Sequence, residues 1–96
     1  MTSRVLESTR RFERALKRYV AGNSHRQRCV EETLRRMEAD IFDPRLKTHT
    51  LSGKLDGFLA SSCGYDCRIV FALRTDPEGS VEKITLTNVG THEEVY

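Results

Sequence analysis

The fold is decided by one short apolar run, RIVFAL at residues 68–73, which is the strongest strand signal in the chain. Isoleucine, valine and phenylalanine favour strands, and a run of this length bounded by turn residues is typical of a strand in the middle of a sheet. Side chains alternate between the faces of a strand, so Ile69 and Phe71 share one face and Arg68 and Val70 the other. We expect the bulkier face to pack under helices and the face with Arg68 to stay open.

Further strands are predicted on both sides of this run. Residues 55–62 form one candidate, and Gly-Tyr-Asp at residues 64–66 is expected to turn the chain back as a hairpin. Asp-Pro-Glu-Gly at residues 76–79 is a turn signal. Ser80 to Val89 then alternates apolar and polar side chains as a last strand. Residues 3–8 are predicted as a short first strand.

Two amphipathic helices are predicted between the first strand and the others. Apolar residues recur at helical spacing in two stripes: Phe12, Leu16, Tyr19 and Val20, then Cys29, Val30, Thr33, Leu34, Met37 and Ile41. Ser8 or Thr9 can cap the first helix, and residues 22–24 end it and start the second. The predicted class is therefore α+β in the order β-α-α-β-β-β, an antiparallel sheet with a two-helix hairpin packed on one face.

The bulk properties restrict the class of protein. A length of 96 residues predicts a single domain, residues 1–96. The chain is 38% hydrophobic and 31% charged, which argues against disorder. No apolar stretch approaches the about 20 residues of a membrane span. The N-terminus, MTSRVLEST, has no apolar signal region, so a cytoplasmic location without membrane partners is predicted.

The distribution of charge and the number of cysteines indicate which kinds of partner the protein can bind. Residues 9–38 carry nine Lys and Arg against four Glu, a net charge of +5, whereas the rest of the chain carries −3. A basic helical segment can attract nucleic acid or an acidic protein, although a solvated helix face is the ordinary alternative. The three cysteines form no disulfide framework, and Cys63 and Cys67 have no second pair to complete a zinc site. No metal and no cofactor are expected.

Polar clusters near the strands contain the side chains that metal-free RNA cleavage requires. Such cleavage needs a base for the 2′-hydroxyl proton, an acid for the departing 5′-oxygen and a cation for the phosphate. An imidazole can give or take a proton near neutral pH, which makes His92 the leading candidate and His49 a second one. Arg68 can hold two phosphate oxygens, and its ordinary alternative is a salt bridge with Asp66.

Other residues are candidates for RNA binding. Arg45, Lys47 and Lys54 can bind backbone phosphates, and Tyr65 and Tyr96 can stack on bases. For each cation, a merely solvated side chain is the ordinary alternative. The sequence has no Gly-rich phosphate loop, no Ser-centred nucleophile elbow and no HExxH motif.

Two long stretches resemble a known family. PRLKTHTLSGKLDGFLASSCGYDCRIVF at residues 44–71, followed by NVGTHEEVY at residues 88–96, resembles the RelE/ParE superfamily of bacterial type II toxins. It looks most similar to the RelE/StbE and YafQ-like branch. The resemblance implies a RelE-like fold and an mRNA endonuclease that cuts in the ribosomal A site. It also implies neutralisation by a cognate antitoxin.

The resemblance also implies roles for individual residues. His92 matches the family's Gly-Thr-His histidine, a general acid or base, and Tyr96 matches the aromatic residue that contacts the RNA base or helps catalysis. His49 and Asp66 match a histidine and an acidic residue of YafQ-like members, and either is a candidate base. Arg68 matches the phosphate-binding arginine.

The chain departs from the family pattern at two positions and leaves two alternative functions open. Ser62 stands where YafQ-like members have another histidine, and Asn88 stands where they have a basic residue. One alternative is a ParE-like inhibitor of DNA gyrase, which has no need of a proton-transfer pair. The other is a catalytically degenerate relative that only binds its antitoxin.

Overall fold

The computed structural model describes residues 3–79 and 81–96. Within them, five strands and three helices follow one another: β1 Ser3–Ser8, α1 Arg10–Val20, α2 Ser24–Ala39, β2 His49–Thr50, β3 Leu59–Ser62, β4 Arg68–Thr75, β5 Val81–Gly90 and α3 His92–Val95. Short 3₁₀ turns at Pro44–Leu46 and Gly53–Leu55 lie before and after β2. The predicted α+β class is confirmed.

The strands form one sheet in the order β1-β5-β4-β3-β2. Neighbours from β2 to β5 are antiparallel, as predicted. At the other edge β1 runs parallel to β5, from Ser3 opposite Val81 to Ser8 opposite Leu86. The expectation of an antiparallel sheet is therefore wrong for β1, because strand periodicity fixes the face of each side chain and carries no information on the direction of a neighbour.

Two predicted strand boundaries change. The strand predicted from Leu55 begins only at Leu59, because Gly57 turns the chain at φ +92° and Phe58 N donates to Leu55 O at 3.0 Å. The two-residue strand β2 was not predicted. Ser80, the predicted start of the last strand, lies outside the described residues, and β5 runs to Gly90.

The core lies between the helices and one face of the sheet. Ile69 and Phe71 of β4 are fully buried, as their alternation predicts. They belong to a cluster with residues of both helices, among them Phe12, Val30 and Met37. The packing of this face against the helices holds β4 in place. It therefore also sets the position of the polar residues on the opposite face.

Side-chain caps set the ends of the first two helices. Thr9 Oγ1 accepts from Phe12 N at 3.2 Å and donates to Leu86 O at 2.8 Å, which ties the start of α1 to β5. Asn23 Oδ1 accepts from Arg26 N at 3.0 Å, and Gly22 ends α1 at φ +66°.

No helix within the described ranges is long and apolar enough to cross a membrane.

Candidate functional site

The C-terminal turn α3 is fixed by a reciprocal capping box. Thr91 Oγ1 accepts from Glu94 N at 3.3 Å, and Glu94 Oε1 accepts from Thr91 N at 2.8 Å. Val95 is only 6% exposed and attaches the turn to the sheet. An isolated turn of four residues is not stable in water, so these contacts are what hold His92 and Tyr96 in place.

The rings of His92 and Tyr96 contact each other edge to face. Their centroids are 4.6 Å apart and their planes meet at 80°. Partial burial raises the pKa of Tyr96, and the positive charge of Arg68 opposes that rise. The phenol therefore keeps its proton at neutral pH and can donate a hydrogen bond.

The hairpin before β4 brings Asp66 to the start of α3. Cys63 N donates to Cys67 O at 2.9 Å and closes the hairpin, while Gly64 takes the turn at φ +83°. Asp66 Oδ1 then accepts from His92 N at 3.3 Å. Two residues that are 26 positions apart in the sequence thus meet at one corner of the molecule.

The thiols of this hairpin are structural. Cys63 and Cys67 are both buried. A hydrogen bond to Cys63 and burial raise the pKa of Cys67, so this thiol stays protonated. Among residues 3–79 and 81–96, no three His, Cys, Asp or Glu side chains are arranged to hold a metal ion.

Arg68 begins β4 on the face away from the main core. It is half-buried and lies opposite Ser62 and Gly90 in the sheet. Its Nη1 donates to Cys67 O at 2.9 Å. The ion pairs found among the described residues do not join Arg68 to Asp66, so its remaining N–H groups are not directed to that carboxylate.

A cavity of about 360 Å³ lies next to this corner. It is lined by His49, Leu51, Ser52, Lys54, Leu55 and Tyr96. His49 Nδ1 lies 3.0 Å from Lys47 O. A carbonyl oxygen only accepts, so Nδ1 carries the proton and a neutral ring presents Nε2 as an acceptor.

The predicted RNA-binding residues are not all close to this cavity. Lys54 lines it together with Tyr96. Arg45 is engaged with Asp43 through contacts of 2.7 and 3.1 Å, and these hydrogen bonds lower the pKa of Asp43 to about 2. Lys47 is exposed and does not line this cavity, and Tyr65 is fully exposed at the hairpin tip.

Sequence reasoning missed the elements that hold these side chains. The capping box was readable as Thr91-x-x-Glu94, the usual signature of a helix start. Leu51, Ser52 and Leu55 carry no such signal, because they reach the cavity through the 3₁₀ turn after β2.

The two positions that depart from the family pattern lie on strands next to β4. Ser62 pairs with Arg68 across β3 and β4, and Asn88 pairs with Val70 across β4 and β5. Asn88 Oδ1 accepts from Val89 N at 2.9 Å. Neither position supplies a charge. The cation next to Ser62 is Arg68, and Asn88 lines a cavity with three arginines of α1.

No model of a known protein family matches the sequence, and no curated protein matches it either. Solved structures do match over nearly the whole chain. The YoeB/ParE toxin from Agrobacterium tumefaciens superposes with a TM-score of 0.74 at 15% identity, covering 96% of this chain and 99% of the toxin.

Two structures of YafQ from E. coli are similar to the same extent. YafQ alone gives a TM-score of 0.71 at 15% identity, covering 98% of this chain and 99% of YafQ. YafQ in the DinJ–YafQ toxin–antitoxin complex gives 0.68 at 16% identity, with 98% of both chains covered. The chain therefore has the same fold as the YoeB/ParE toxin and YafQ.

Proposed function

We propose that this protein is the toxin of a bacterial type II toxin–antitoxin pair and acts as a metal-independent mRNA endonuclease. Its substrate is mRNA in the ribosomal A site, and its action stops translation and growth in the cytoplasm. The resemblance of residues 44–71 and 88–96 and the shared fold support the class of protein. The choice of chemistry is supported by the side chains of the C-terminal corner.

The observation that carries the proposal is that Tyr96 contacts one imidazole and lines a cavity together with a second. His92 contacts the Tyr96 ring directly, and His49 lines the same cavity as Tyr96. Arg68 begins β4 opposite Gly90, the last residue of β5 before the turn that carries His92 and Tyr96. An inhibitor that only binds a protein has no need of two proton-transfer groups beside a cation, so this combination favours RNA cleavage over gyrase binding.

The proposed reaction uses each group once. His49 Nε2 removes the proton of the 2′-hydroxyl, because Nδ1 is already donating to Lys47 O. The 2′-oxygen attacks phosphorus, the bond to the 5′-oxygen breaks, and protonated His92 gives its proton to that oxygen. The products are a 2′,3′-cyclic phosphate and a 5′-hydroxyl. Arg68 neutralises the phosphate oxygens in the transition state.

Asp66 and Tyr96 act beside these groups. The Asp66 carboxylate accepts from His92 N, so we assign it to holding the first residue of α3. It remains the alternative base through its second oxygen. Tyr96 positions the RNA base, since its ring is 44% exposed and lines the cavity.

A cognate antitoxin is the proposed protein partner. The DinJ–YafQ complex is a toxin–antitoxin complex of a protein with this fold. Residues 9–38 of the present chain carry +5, so an antitoxin with an acidic segment would associate with electrostatic assistance.

Induced expression in a bacterial host tests the proposal. The wild type should arrest growth and produce new 5′ ends in mRNA by primer extension, whereas His92→Ala should do neither. Gln27→Ala is the control, because Gln27 is an exposed residue of α2 and does not line the cavities that contain Asp66, His49 or Tyr96.

Other outcomes separate the rival functions. Growth arrest with a DNA-damage response and intact mRNA would favour a gyrase inhibitor. No arrest by the wild type, with retained binding to the product of the neighbouring gene, would favour a degenerate antitoxin-binding relative. Equal arrest by wild type and His92→Ala would refute the role of His92.

A further inference from the structure

Three neighbouring cavities share lining residues in succession, and together they are called the track below. The cavity with His49 and Tyr96 shares Lys54 and Leu55 with a second cavity of about 360 Å³. The second shares Arg11 and Asn88 with a third cavity of about 300 Å³. A ligand that occupies the proposed cleavage site can therefore continue to α1 without leaving a concave surface.

The track exists because β1 is shorter than its neighbour. The pairing of β1 with β5 stops at Ser8 opposite Leu86, where the chain turns into α1. Residues 88–90 of β5 continue past that point and pair only with β4 among the described residues. The free edge of β5 at Asn88 thus lies open between α1 and the 3₁₀ turn after β2.

One row of arginines follows the track. Arg11, Arg14 and Arg18 lie three and four positions apart, which places them on one face of α1, and all three line the third cavity. They are exposed, and the ion pairs found in the described part of the chain use none of them. With Lys54 they give the track four cations.

One carboxylate faces this row. Glu94 lines the third cavity, and hydrogen bonds from Thr91 lower its pKa, with Arg18 and Arg26 adding to that effect. Glu94 is held in the capping box and forms no ion pair with the row among the described residues, so its single negative charge leaves the three arginines with a net positive charge. The floor of the second cavity is apolar, formed by Phe58, Val70 and Val95.

We propose that the arginine track, formed by Arg11, Arg14, Arg18, Lys54 and Asn88, binds the backbone phosphates of the RNA strand on one side of the cleaved bond. This inference rests on the proposed ribonuclease function. Cations along a groove with an apolar floor are what a single strand needs for its phosphates and bases. The position next to the His49 and Tyr96 cavity favours RNA as the occupant of the groove, because a strand bound at the cleaved bond must continue along the surface beside it.

Binding without cleavage tests the track. The probe is fluorescein-labelled oligouridine of about 12 nucleotides, a length within the usual site sizes for single strands. Its affinity is measured by anisotropy over a range of salt concentrations, in the His92→Ala background. Arg11→Gln/Arg14→Gln/Arg18→Gln should weaken binding by at least about tenfold and reduce the salt slope by roughly 2, since each phosphate contact contributes about 0.7.

A matched control separates position from net charge. Arg10→Gln/Lys17→Gln/Arg28→Gln removes the same charge from exposed positions that do not line the three cavities. It should leave the slope nearly unchanged. The lysine triple Arg11→Lys/Arg14→Lys/Arg18→Lys should retain most of the slope, and circular dichroism checks that each triple folds.

Three results would overturn the track. The first is that the His92→Ala protein does not bind the RNA. The second is that both glutamine triples lose the same RNA affinity. The third is that the α1 glutamine triple binds RNA normally but binds a glutamate-rich peptide more weakly. The last would identify the row as a polypeptide surface. Failure of the proposed chemistry is distinguishable, because it would leave the wild type unable to cleave while RNA binding still depended on the α1 arginines.

Discussion

The two faces of β4 differ in what they contribute. On one face, Ile69 and Phe71 are fully buried beneath the helices and touch no polar group of the site. On the other, Arg68 is half-buried near the corner of α3, and Val70 is covered by Phe58 and Val95. Consecutive residues of β4 therefore point in turn to the core and to the proposed site.

This difference indicates that stability and activity are largely separable in this protein. A side chain on the core face is surrounded by apolar atoms, so its loss leaves a cavity. On the opposite face Val70 is itself buried, whereas Arg68 is half-buried beside the proposed site, so the loss of the Arg68 side chain should affect the rate of cleavage. The predictions below test that separation.

The largest expected effect is on the core face. Phe71→Ala should reduce the free energy of unfolding by about 3–5 kcal/mol, because it empties the centre of the core. Urea denaturation followed by circular dichroism measures this, and Phe71→Leu should recover most of the loss. A cost below about 1 kcal/mol for the alanine variant would contradict the position of Phe71 in the core.

The next effect is on the opposite face. Arg68→Gln should lower cleavage of ribosome-bound mRNA by about 10²–10³, the usual result of removing one preorganised donor. Its free energy of unfolding should change by no more than about 0.5 kcal/mol. Arg74→Gln, an exposed arginine at the far end of β4, is the control and should cleave normally. Equal rates for both variants would argue against phosphate binding by Arg68.

A smaller effect is expected at the turn that holds the site. Thr91→Ala removes the cap of α3, which typically costs about 1 kcal/mol, so we expect cleavage to fall by about fivefold. Thr91→Ser keeps a hydroxyl that can accept from Glu94 N and should retain activity. If Thr91→Ala and Thr91→Ser cleave equally well, the capping box does not position His92.

The smallest effect concerns pH. The pKa of Glu94 is lowered by its bonds to Thr91, so its folded-state pKa lies below the ordinary value of 4.5. A lowered pKa stabilises the folded turn above that ordinary value, and the stabilisation is lost as pH falls through the folded-state pKa. NMR signals of α3 should thus broaden or shift below pH 4.5 before the core unfolds, and Glu94→Gln should remove that dependence. Core and turn signals that change together would contradict a local effect.

The sequence predicted the core face better than it predicted the site. RIVFAL at residues 68–73 was sufficient for β4 and its buried face, because alternation and apolar content act locally. The parallel pairing of β1 and the late start of β3 depend on neighbours and on the positive φ of Gly57, which no periodicity encodes. The contact of Asp66 with His92 joins residues distant in sequence, so it followed only from the fold.

The resemblance added what local patterns lacked. It singled out His49, Asp66, Arg68, His92 and Tyr96 before their positions were known. The structure brings His92, Asp66 and Tyr96 together directly and puts His49 in the cavity with Tyr96. The α1 arginines carried no motif, and their relation to Asn88 depends on the free edge of β5.

The most direct test of the separation between core and site is a paired measurement on His92→Ala. Single-turnover cleavage of mRNA on a programmed ribosome gives the rate, and urea denaturation of the same preparation gives the stability. We predict that the rate falls by about 10²–10⁴, the usual contribution of one proton transfer, while the free energy of unfolding changes by no more than about 0.5 kcal/mol. An unchanged rate, or a lower rate explained by an unfolded protein, would contradict the assignment of the chemistry to the C-terminal turn.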